Sequence, residues 1–207
     1  MKIKTDNYAD EKTINFYNEN SESYSNKTLD LQLTEQWNAF SHLMNKGGSI
    51  LDIGCGSGRD MIKFQSLGFT TEGLEPSPLM AKIARKNTNS IVHEIPVEQL
   101  STIERYDGIW ACASLLHVHK NHISHSIENI LRALKNDGLL YFSLKTGTGQ
   151  KRQSDDRLFT YYDKTAILSL LEKFKNIKII RIWSTQDAGQ RTENEWLNCI
   201  LRKVEIK

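Results

Sequence analysis

The sequence predicts an α/β fold built on a doubly wound, mostly parallel β-sheet. Two observations lead to this prediction: short apolar runs alternate with helical patterns from Ser49 onward, and a glycine-rich turn follows the first of these runs. Such alternation is typical of βαβ units, in which helices cover both faces of a parallel sheet. The chain has 207 residues, of which 39% are apolar and 25% charged, a composition that suits one well-packed domain.

Seven strands are predicted, near residues 49–53, 70–75, 90–94, 107–112, 139–145, 177–184 and 196–204. Asn136, Asp137 and Gly138 are expected to form a turn before the fifth strand. Only residues 185–194 separate the last two strands, a length that suits an antiparallel hairpin better than a helical crossover. One strand of the sheet is therefore expected to run antiparallel to the others.

Helical patterns lie between these strands, near residues 60–67, 79–87, 122–134 and 163–174, and a polar loop precedes the last of them at 147–156. Before the sheet, residues 10–20 and 29–46 also show helical spacing, with Phe16, Trp37 and Phe40 among their apolar anchors. We expect residues 1–46 to form a helical lid segment packed on a core of residues 47–207, the two making one structural domain.

The composition argues against several classes of protein. No apolar run approaches the ~20 residues of a membrane helix and no early segment resembles a signal peptide, so we expect a cytoplasmic protein without membrane contact. Cys55, Cys112 and Cys199 are widely spaced and form no Cys-x-x-Cys pair, which disfavours both a disulfide framework and a cysteine zinc site. A formal charge of +2 gives no strong basic footprint for nucleic acid.

The most informative segment is the turn after the first strand, where Gly54, Gly56 and Gly58 occupy every second position. Glycine tolerates positive φ and has no Cβ, so a ligand can approach the main chain closely, and the next helix offers unpaired N–H groups. A P-loop is excluded because Arg59 and Asp60 follow the last glycine. The dinucleotide pattern GxGxxG needs glycine at position 59, which makes NAD binding less favoured without excluding it.

An acidic residue at the end of the second strand supports a nucleoside ligand. Glu75 follows Gly73 and Leu74, so its carboxylate is expected at the carboxyl edge of the neighbouring strand, where it can accept hydrogen bonds from both ribose hydroxyls. Any doubly wound nucleotide site favours such an acid. Glu75 therefore indicates adenosine without identifying the ligand that carries it.

Four segments together resemble a known family. LDIGCGSGRD, GLEPSP, YDGIWACASLLH and LKNDGLLYFSLK are similar to successive motifs of class I S-adenosylmethionine-dependent methyltransferases, over roughly residues 15–203. The resemblance implies a Rossmann-like seven-stranded sheet and S-adenosylmethionine as cofactor. The segment 159–162 and the segment 196–198 are also similar to a bacterial subgroup of small members.

The resemblance also implies roles for individual residues in cofactor binding. The glycine loop would face the methionine part, Glu75 the ribose and Asp52 the loop and amino group, while Val97 and Glu98 would flank the adenine. The family often has an Asp just before the segment that flanks the adenine, whereas residues 93–96 of this chain contain no Asp. The full set of implied cofactor residues is Asp52, Gly54, Cys55, Gly56, Glu75, Pro76, Val97, Glu98, Ala111 and Cys112.

Candidates for the acceptor side come from the residues between and after these motifs. His117 lies a few residues beyond the fourth strand and is the best general-base candidate, with packing at a helix start as an equal alternative. Tyr17, Tyr24, Arg157, Trp183 and Arg191 are the candidate substrate residues, since arginine and aromatic side chains suit a planar or anionic acceptor. Surface ion pairs, core tryptophans and helix packing are the alternatives.

A run of histidines needs its own interpretation. His119, His122 and His125 have spacing that suits metal binding, but no carboxylate or cysteine completes the set, so exposed polar histidines are favoured and no metal is predicted. The sequence thus predicts methyl transfer to a small molecule, with RNA or protein acceptors, or cofactor binding without turnover, as alternatives. It leaves the oligomeric state and the acceptor atom open.

Overall fold

A seven-stranded sheet forms the centre of the computed structural model, which describes residues 9–189 and 195–205. Its strands are β1 (Ser49–Ile53), β2 (Thr70–Leu74), β3 (Val92–His93), β4 (Tyr106–Ala111), β5 (Leu134–Lys145), β8 (Ile177–Gln186) and β9 (Glu195–Lys203). Two short strands, β6 (Gln150–Arg152) and β7 (Leu158–Thr160), pair separately. The order in the sheet is β3-β2-β1-β4-β5-β9-β8, and only β9 runs antiparallel to its neighbours. The predicted doubly wound α/β fold with one antiparallel strand is confirmed.

Helices cover both faces of this sheet. They are α1 (Glu11–Glu19), α2 (Ser21–Thr28), α3 (Thr34–Ser41), α4 (Arg59–Ser66), α5 (Pro78–Thr88), α6 (Ile123–Ala133) and α7 (Lys164–Leu171). No helix within the described residues is long and apolar enough to cross a membrane.

Two apolar layers hold these helices to the sheet. On one face the rings of Trp110 and Tyr141 stack with centroids 3.8 Å apart, and Phe40 of α3 packs edge-on against Trp110. On the other face Ile127 and Ile130 of α6, spaced as the sequence pattern indicates, are buried in the cluster that fills the opposite side. The sheet is therefore buried on both sides, as a largely parallel sheet requires.

The N-terminal segment differs from the helices predicted for it. Residues 29–46 were expected to be one helix, but the structure has α2 before this range and a shorter α3 within it. The sequence of α2, SESYSNKT, lacks an apolar stripe; its buried residues are Ser21 and Ser25, and the helix packs against α5. A helix whose buried face consists of small hydroxyl residues gives no periodic signal.

Two further predictions about turns were wrong. The expected turn at Asn136 to Gly138 is an irregularity inside β5, which starts at Leu134 directly after α6; Asp137 has φ 61° and the pairing with β4 shifts there. The expected loop at 147–156 contains β6, which pairs with β7 as an antiparallel hairpin. The irregularity in β5 depends on its pairing with the distant β4, which local turn chemistry does not reveal. The β6–β7 hairpin is local, but the polar sequence of β6, Gln-Lys-Arg, has no apolar alternation that would indicate a strand.

Candidate active site

A cleft of about 1090 Å³, its open mouth included, lies at the carboxyl ends of β1, β2 and β4. This edge of a doubly wound sheet is where such folds bind ligands, and helices α1 and α2 form part of the cleft wall. Most of the predicted site residues line it: Tyr17, Tyr24, Gly54, Cys55, Gly56, Glu75, Pro76, Val97, Glu98, Cys112 and His117.

The remaining predicted residues lie elsewhere. Asp52, next to last in β1, and Ala111, the last residue of β4, are buried and are not among the lining residues, but Asp52 lies close enough to Arg59, Asp60 and Glu75 of the lining to interact with their charges. Arg157 is not among the lining residues, but it lies directly behind Tyr17: its guanidinium stacks on Phe16 at 4.3 Å, pairs with Asp155 and lies 5.8 Å from the ring of Tyr17. Trp183 packs under Arg181 at 4.3 Å, also outside the lining. Arg191 falls outside the described residues.

The glycine loop has the backbone geometry that its sequence requires. Gly54 has φ +66° and a Cβ at this position would lie 2.4 Å from the Cβ of Ser114, so a side chain is excluded by both strain and space. Gly56 has φ +56°, and its N–H donates to Oε2 of Glu75 at 3.0 Å. The loop is thereby fixed to the end of the neighbouring strand, leaving its backbone along the cleft floor.

Glu75 is held by two backbone donors. Besides the bond from Gly56, its Oε1 accepts from the N–H of Ser77 at 2.9 Å. Burial raises the pKa of this carboxyl to about 7, although both backbone hydrogen bonds act to lower it. Each oxygen still has a lone pair for a further donor, so the carboxylate can accept two hydroxyl groups from the cleft.

An ion pair that sequence reasoning did not assign to the site lies beneath the loop. Arg59 makes a two-pronged contact with Asp60, at 2.8 and 2.7 Å, and Asp60 also accepts from the indole N–H groups of Trp37 and Trp110, both at 2.9 Å. Both residues line the cleft. The adjacent opposite charges of Arg59 and Asp60, directly after the glycine turn, are visible in the sequence, but they were used there only to exclude a P-loop.

Asp52 is left with an unpaired oxygen next to this ion pair. Its Oδ2 is buried and accepts no hydrogen bond within the described residues. Burial raises the pKa of Asp52, and the charge of Asp60 raises it further, while Arg59 opposes both. A buried carboxylate oxygen without a donor is costly, so this position favours a ligand that brings a positively charged donor.

Tyr17 and His117 form a hydrogen-bonded pair in the cleft. The ring Nδ1 of His117 lies 2.7 Å from the carbonyl of Leu158, which only accepts, so Nδ1 carries the proton. Nε2 then accepts from the hydroxyl of Tyr17 at 2.8 Å. Burial lowers the pKa of His117 to about 4, and the positive charges of Arg157 and Lys145 act in the same direction, so the imidazole is neutral near neutral pH.

Helix α1 crosses the cleft and is fastened on both sides. On one side Asn18 accepts from the hydroxyl of Ser77 at 2.6 Å, just after Glu75. On the other side Asp10, the N-cap of α1, pairs with Arg152 of the β6–β7 hairpin at 2.7 Å. Burial alone would raise the pKa of Asp10, but the bonds from Arg152 and Thr13 outweigh it and lower the pKa to about 2.

A second cavity adjoins the cleft and shares Cys112 and Ala113 with it. Ala113 has φ 52°, a conformation unusual for a residue with a Cβ, and its N–H donates to the hydroxyl of Ser143 at 2.9 Å. The cavity also reaches α3, β8 and β9 through Gln36, Thr185 and Asn198. Sequence reasoning did not find it, because its lining comes from elements far apart along the chain.

The histidine run does not form a metal site in the described part of the chain. No group of three or more His, Cys, Asp or Glu side chains within residues 9–189 and 195–205 is arranged to hold a metal ion. His119 and His122 pack ring to ring at 5.7 Å, and His125 lies 3.9 Å from Glu128.

Comparison with known proteins identifies the family. A family model described as a methyltransferase domain matches residues 26–178. The chain belongs to this family. Within it, the fold and motifs are those of the class I S-adenosylmethionine-dependent methyltransferases, and S-adenosylmethionine is the cofactor, as the sequence predicted. The cleft fits this group, because the unpaired oxygen of Asp52, the free lone pairs of Glu75 and the glycine backbone match an ammonium, a ribose and a compact amino-acid tail.

Individual relatives are distant. YqeM of Bacillus subtilis strain 168, a proposed methyltransferase, is 27% identical over 118 residues, which are 53% of this chain and 48% of that protein. The matched stretch thus spans about half the length of the curated relatives.

Solved methyltransferase structures share the fold at low identity. The 1,6-didemethyltoxoflavin-N1-methyltransferase of Burkholderia thailandensis, solved with 1,6-didemethyltoxoflavin and S-adenosylhomocysteine, superposes with a TM-score of 0.78 at 19% identity, over 94% of this chain and 88% of that one. The magnesium protoporphyrin IX methyltransferase of Synechocystis PCC 6803, solved with S-adenosylmethionine, gives 0.70 at 18%, over 96% and 100%.

Proposed function

We propose that this methyltransferase transfers a methyl group from S-adenosylmethionine to a small-molecule acceptor. The observation that carries the proposal is that the cofactor cleft and the second cavity lie side by side and share two lining residues, Cys112 and Ala113. Two chambers that meet at a narrow wall of small residues suit an in-line displacement, in which alignment of donor and acceptor supplies most of the acceleration.

The cofactor contacts follow from the geometry of the cleft. When bound, S-adenosylmethionine supplies an electrophilic methyl group on a sulfonium sulfur. Glu75 would accept from the ribose hydroxyls and Asp52 from the amino group, with Val97 and Glu98 beside the adenine. Arg59 extends this set: its Nη1 makes no hydrogen bond within the described residues, which suits the carboxylate of the amino-acid tail.

Tyr17 and His117 offer a path for a proton leaving the acceptor. The Tyr17 oxygen faces the cleft and its hydroxyl proton is directed to Nε2 of His117. An acceptor O–H or N–H that bonds to the Tyr17 oxygen can pass its proton there while Tyr17 passes its own to the imidazole. His117 thus acts through Tyr17, a refinement of its expected role as a base that touches the acceptor directly.

Three observations favour a small molecule over a macromolecule. Helix α1 spans the cleft and is fastened at both sides, which leaves a chamber rather than an open groove. The net charge of +2 lacks the basic footprint of a nucleic-acid surface. The two neighbouring structures are named for small-molecule substrates, a toxoflavin precursor and a porphyrin.

The test is transfer of a radiolabelled methyl group from S-adenosylmethionine to a cell extract separated into metabolite, RNA and protein fractions. We expect label in the metabolite fraction, and at least about tenfold less label with the Tyr17→Phe variant, since one proton-transfer group typically contributes 10²–10⁴-fold. Tyr161→Phe, outside the cleft, is the matched control. Label confined to RNA or protein would overturn the small-molecule assignment, and cofactor binding without label in any fraction would favour a nonenzymatic module.

A further inference from the structure

One wall of the second cavity presents an acceptor atom without a partner. Gln36 of α3 is only 8% exposed, lines the cavity, and its amide Nε2 donates to Oγ1 of Thr185 at 3.3 Å. That contact leaves the amide oxygen, Oε1, with no hydrogen-bond donor within the described residues. This oxygen is partly accessible and, because Gln36 lines the cavity, it can accept a hydrogen bond from a ligand there.

The neighbouring atom is a donor. Oγ1 of Thr185 also accepts from Nδ2 of Asn198 at 3.0 Å, and the orientation of that amide is fixed because Nδ2 also donates to the carbonyls of Trp183 and Trp196, which can only accept. A hydroxyl oxygen that accepts twice has used both lone pairs, so only its hydrogen remains for another partner. Thr185 therefore offers an O–H donor beside the free oxygen of Gln36.

The rest of the cavity is largely apolar or already paired. Leu31, Leu33 and Ala113 contribute apolar surface, and Trp196 forms another side. Asp187 accepts from the indole N–H of Trp196 at 3.0 Å and from the N–H of Gly189 at 2.8 Å, so this carboxylate positions the tryptophan. An apolar slot with one adjacent acceptor and donor selects a flat ligand that carries the complementary pair on one edge.

We propose that the second cavity binds one end of the methyl acceptor, with the reacting atom extending past Ala113 towards Tyr17 in the cofactor cleft, and that it selects at this end a small planar ring with a lactam edge, that is, a ring N–H next to a ring C=O. The N–H would donate to Oε1 of Gln36 and the carbonyl would accept from the Thr185 hydroxyl. This inference rests on the proposed function, because the cavity meets the cofactor cleft at Cys112 and Ala113. A ring without the N–H leaves Gln36 unpaired, and sites of this kind discriminate strongly against such analogues.

The test uses the full chain saturated with S-adenosylhomocysteine and three probes of similar size: quinolin-2(1H)-one, its N-methyl derivative and quinoline. Binding is measured by ligand-observed NMR titration. We expect the lactam to bind at least about tenfold more tightly than the N-methyl derivative, the difference made by one well-placed hydrogen bond in a buried site. Equal affinities, or no binding of the lactam, would overturn the inference.

Substitutions in the cavity test which side chains cause the preference for the lactam. Gln36→Leu is expected to reduce the preference for the lactam over the N-methyl derivative to less than about threefold. Thr185→Val is expected to reduce the preference for the lactam over quinoline, which lacks the carbonyl, and Thr185→Ser, which keeps the hydroxyl, to retain it. Gln32→Leu is the matched control, since Gln32 lies on the exposed segment before α3 and outside the cavity. A preference that survives Gln36→Leu would place the lactam elsewhere and contradict the inference.

S-adenosylhomocysteine affinity, measured first by calorimetry on every variant, separates the two proposals. Unchanged affinity with lost lactam preference supports the cavity assignment. Normal cofactor affinity with no lactam preference in the unsubstituted protein overturns this inference alone. Failure of the unsubstituted protein to bind S-adenosylhomocysteine would overturn the proposed function, and with it the assignment of an acceptor to the cavity.

Discussion

The cofactor cleft and the second cavity, where we propose that the acceptor binds, share two lining residues but are built in different ways. The floor of the cleft comes from one continuous stretch, β1 to the end of β2, in which the glycine backbone and Glu75 bond to each other directly. The second cavity joins α3, β5, β8 and β9, and its central contact links Gln36 to Thr185, 149 positions apart.

This difference determines how much of each region is visible in the sequence. A turn that needs positive φ and no Cβ restricts the residue types at fixed local spacing, so the constraint appears as a motif. A cavity made of side chains from distant elements leaves no local pattern, since each of its residues is ordinary in its own helix or strand. Substitutions should therefore act on the cleft through backbone geometry and on the cavity through individual polar groups.

The largest expected effect comes from Gly54→Ala. The added Cβ would lie 2.4 Å from Ser114, so we expect a loss of roughly 100-fold in S-adenosylhomocysteine affinity as the loop shifts, measured by calorimetry. Gly68→Ala is the matched control: it also has positive φ, +87°, but open space around the new Cβ.

For Gly68→Ala the left-handed conformation should cost about 1–2 kcal/mol of stability with little change in affinity. The double variant Gly54→Ala with Ser114→Gly should recover part of the affinity, because it removes the atom in conflict. No recovery would mean that the backbone strain at Gly54, rather than the contact with Ser114, controls the cleft.

An intermediate effect is expected for Glu75→Ala. Removal of the carboxylate leaves the ribose hydroxyls and two backbone N–H groups without an acceptor, so affinity for S-adenosylhomocysteine should fall by about 1–3 kcal/mol, roughly 5- to 150-fold. Glu94→Ala is the control, because Glu94 is paired with Arg85 and lies outside the cleft. Unchanged affinity for Glu75→Ala would place the ribose elsewhere.

The same residue predicts a pH dependence of stability. Its pKa is about 7 in the folded protein against 4.5 ordinarily, so between these values the folded chain holds a proton that the unfolded chain has released. The free energy of unfolding without ligand should therefore fall as pH rises through this window, by at most about 1.4 kcal/mol per pH unit from Glu75.

Urea unfolding across this pH window, compared between the unsubstituted protein and Glu75→Ala, isolates the contribution of Glu75. The depressed pKa of His117 acts in the opposite direction, adding stability as pH rises from about 4 towards 6.5, and it is common to both proteins. Identical slopes in the two proteins would show that Glu75 is not protonated near neutral pH.

The smallest effect is expected at the ion pair between Asp10 and Arg152, which fastens α1 over the cofactor cleft. Arg152→Ala removes the partner of Asp10 and loosens α1 from the β6–β7 hairpin. Partly exposed ion pairs contribute about 0.2–1 kcal/mol, so the release rate of S-adenosylhomocysteine should rise by roughly two- to fivefold, measured by stopped-flow fluorescence.

Two comparisons make this prediction specific. Arg85→Ala breaks another exposed ion pair, with Glu94, and should leave the release rate unchanged. The unsubstituted protein should release ligand faster as salt rises, and Arg152→Ala should lose most of that dependence. A salt dependence that persists in Arg152→Ala would show that α1 is not the element that limits release.

Helix α1, which crosses the cleft, and its contacts could be predicted from the sequence only in part. The helical spacing of α1 and its aromatic residues indicated a lid, yet the pairing of Tyr17 with His117 joins residues 100 positions apart and followed from no local pattern. Arg157 was expected at the acceptor side because of its residue type, and the structure places it behind Tyr17, stacked on Phe16 and paired with Asp155.

The sequence by itself determined the sheet and the donor. Alternating strands and helices predicted the sheet, the glycine turn from Gly54 to Gly58 and the acid at Glu75 indicated an adenosine ligand, and the resemblance of four segments to class I methyltransferases implied S-adenosylmethionine. Only the tertiary structure decided the neutral tautomer of His117, the fastening of α1 and the acceptor–donor pair of Gln36 and Thr185. The reason is physical: hydrogen-bond partners, burial and charge at these positions are set by chain segments that meet only when the sheet is complete.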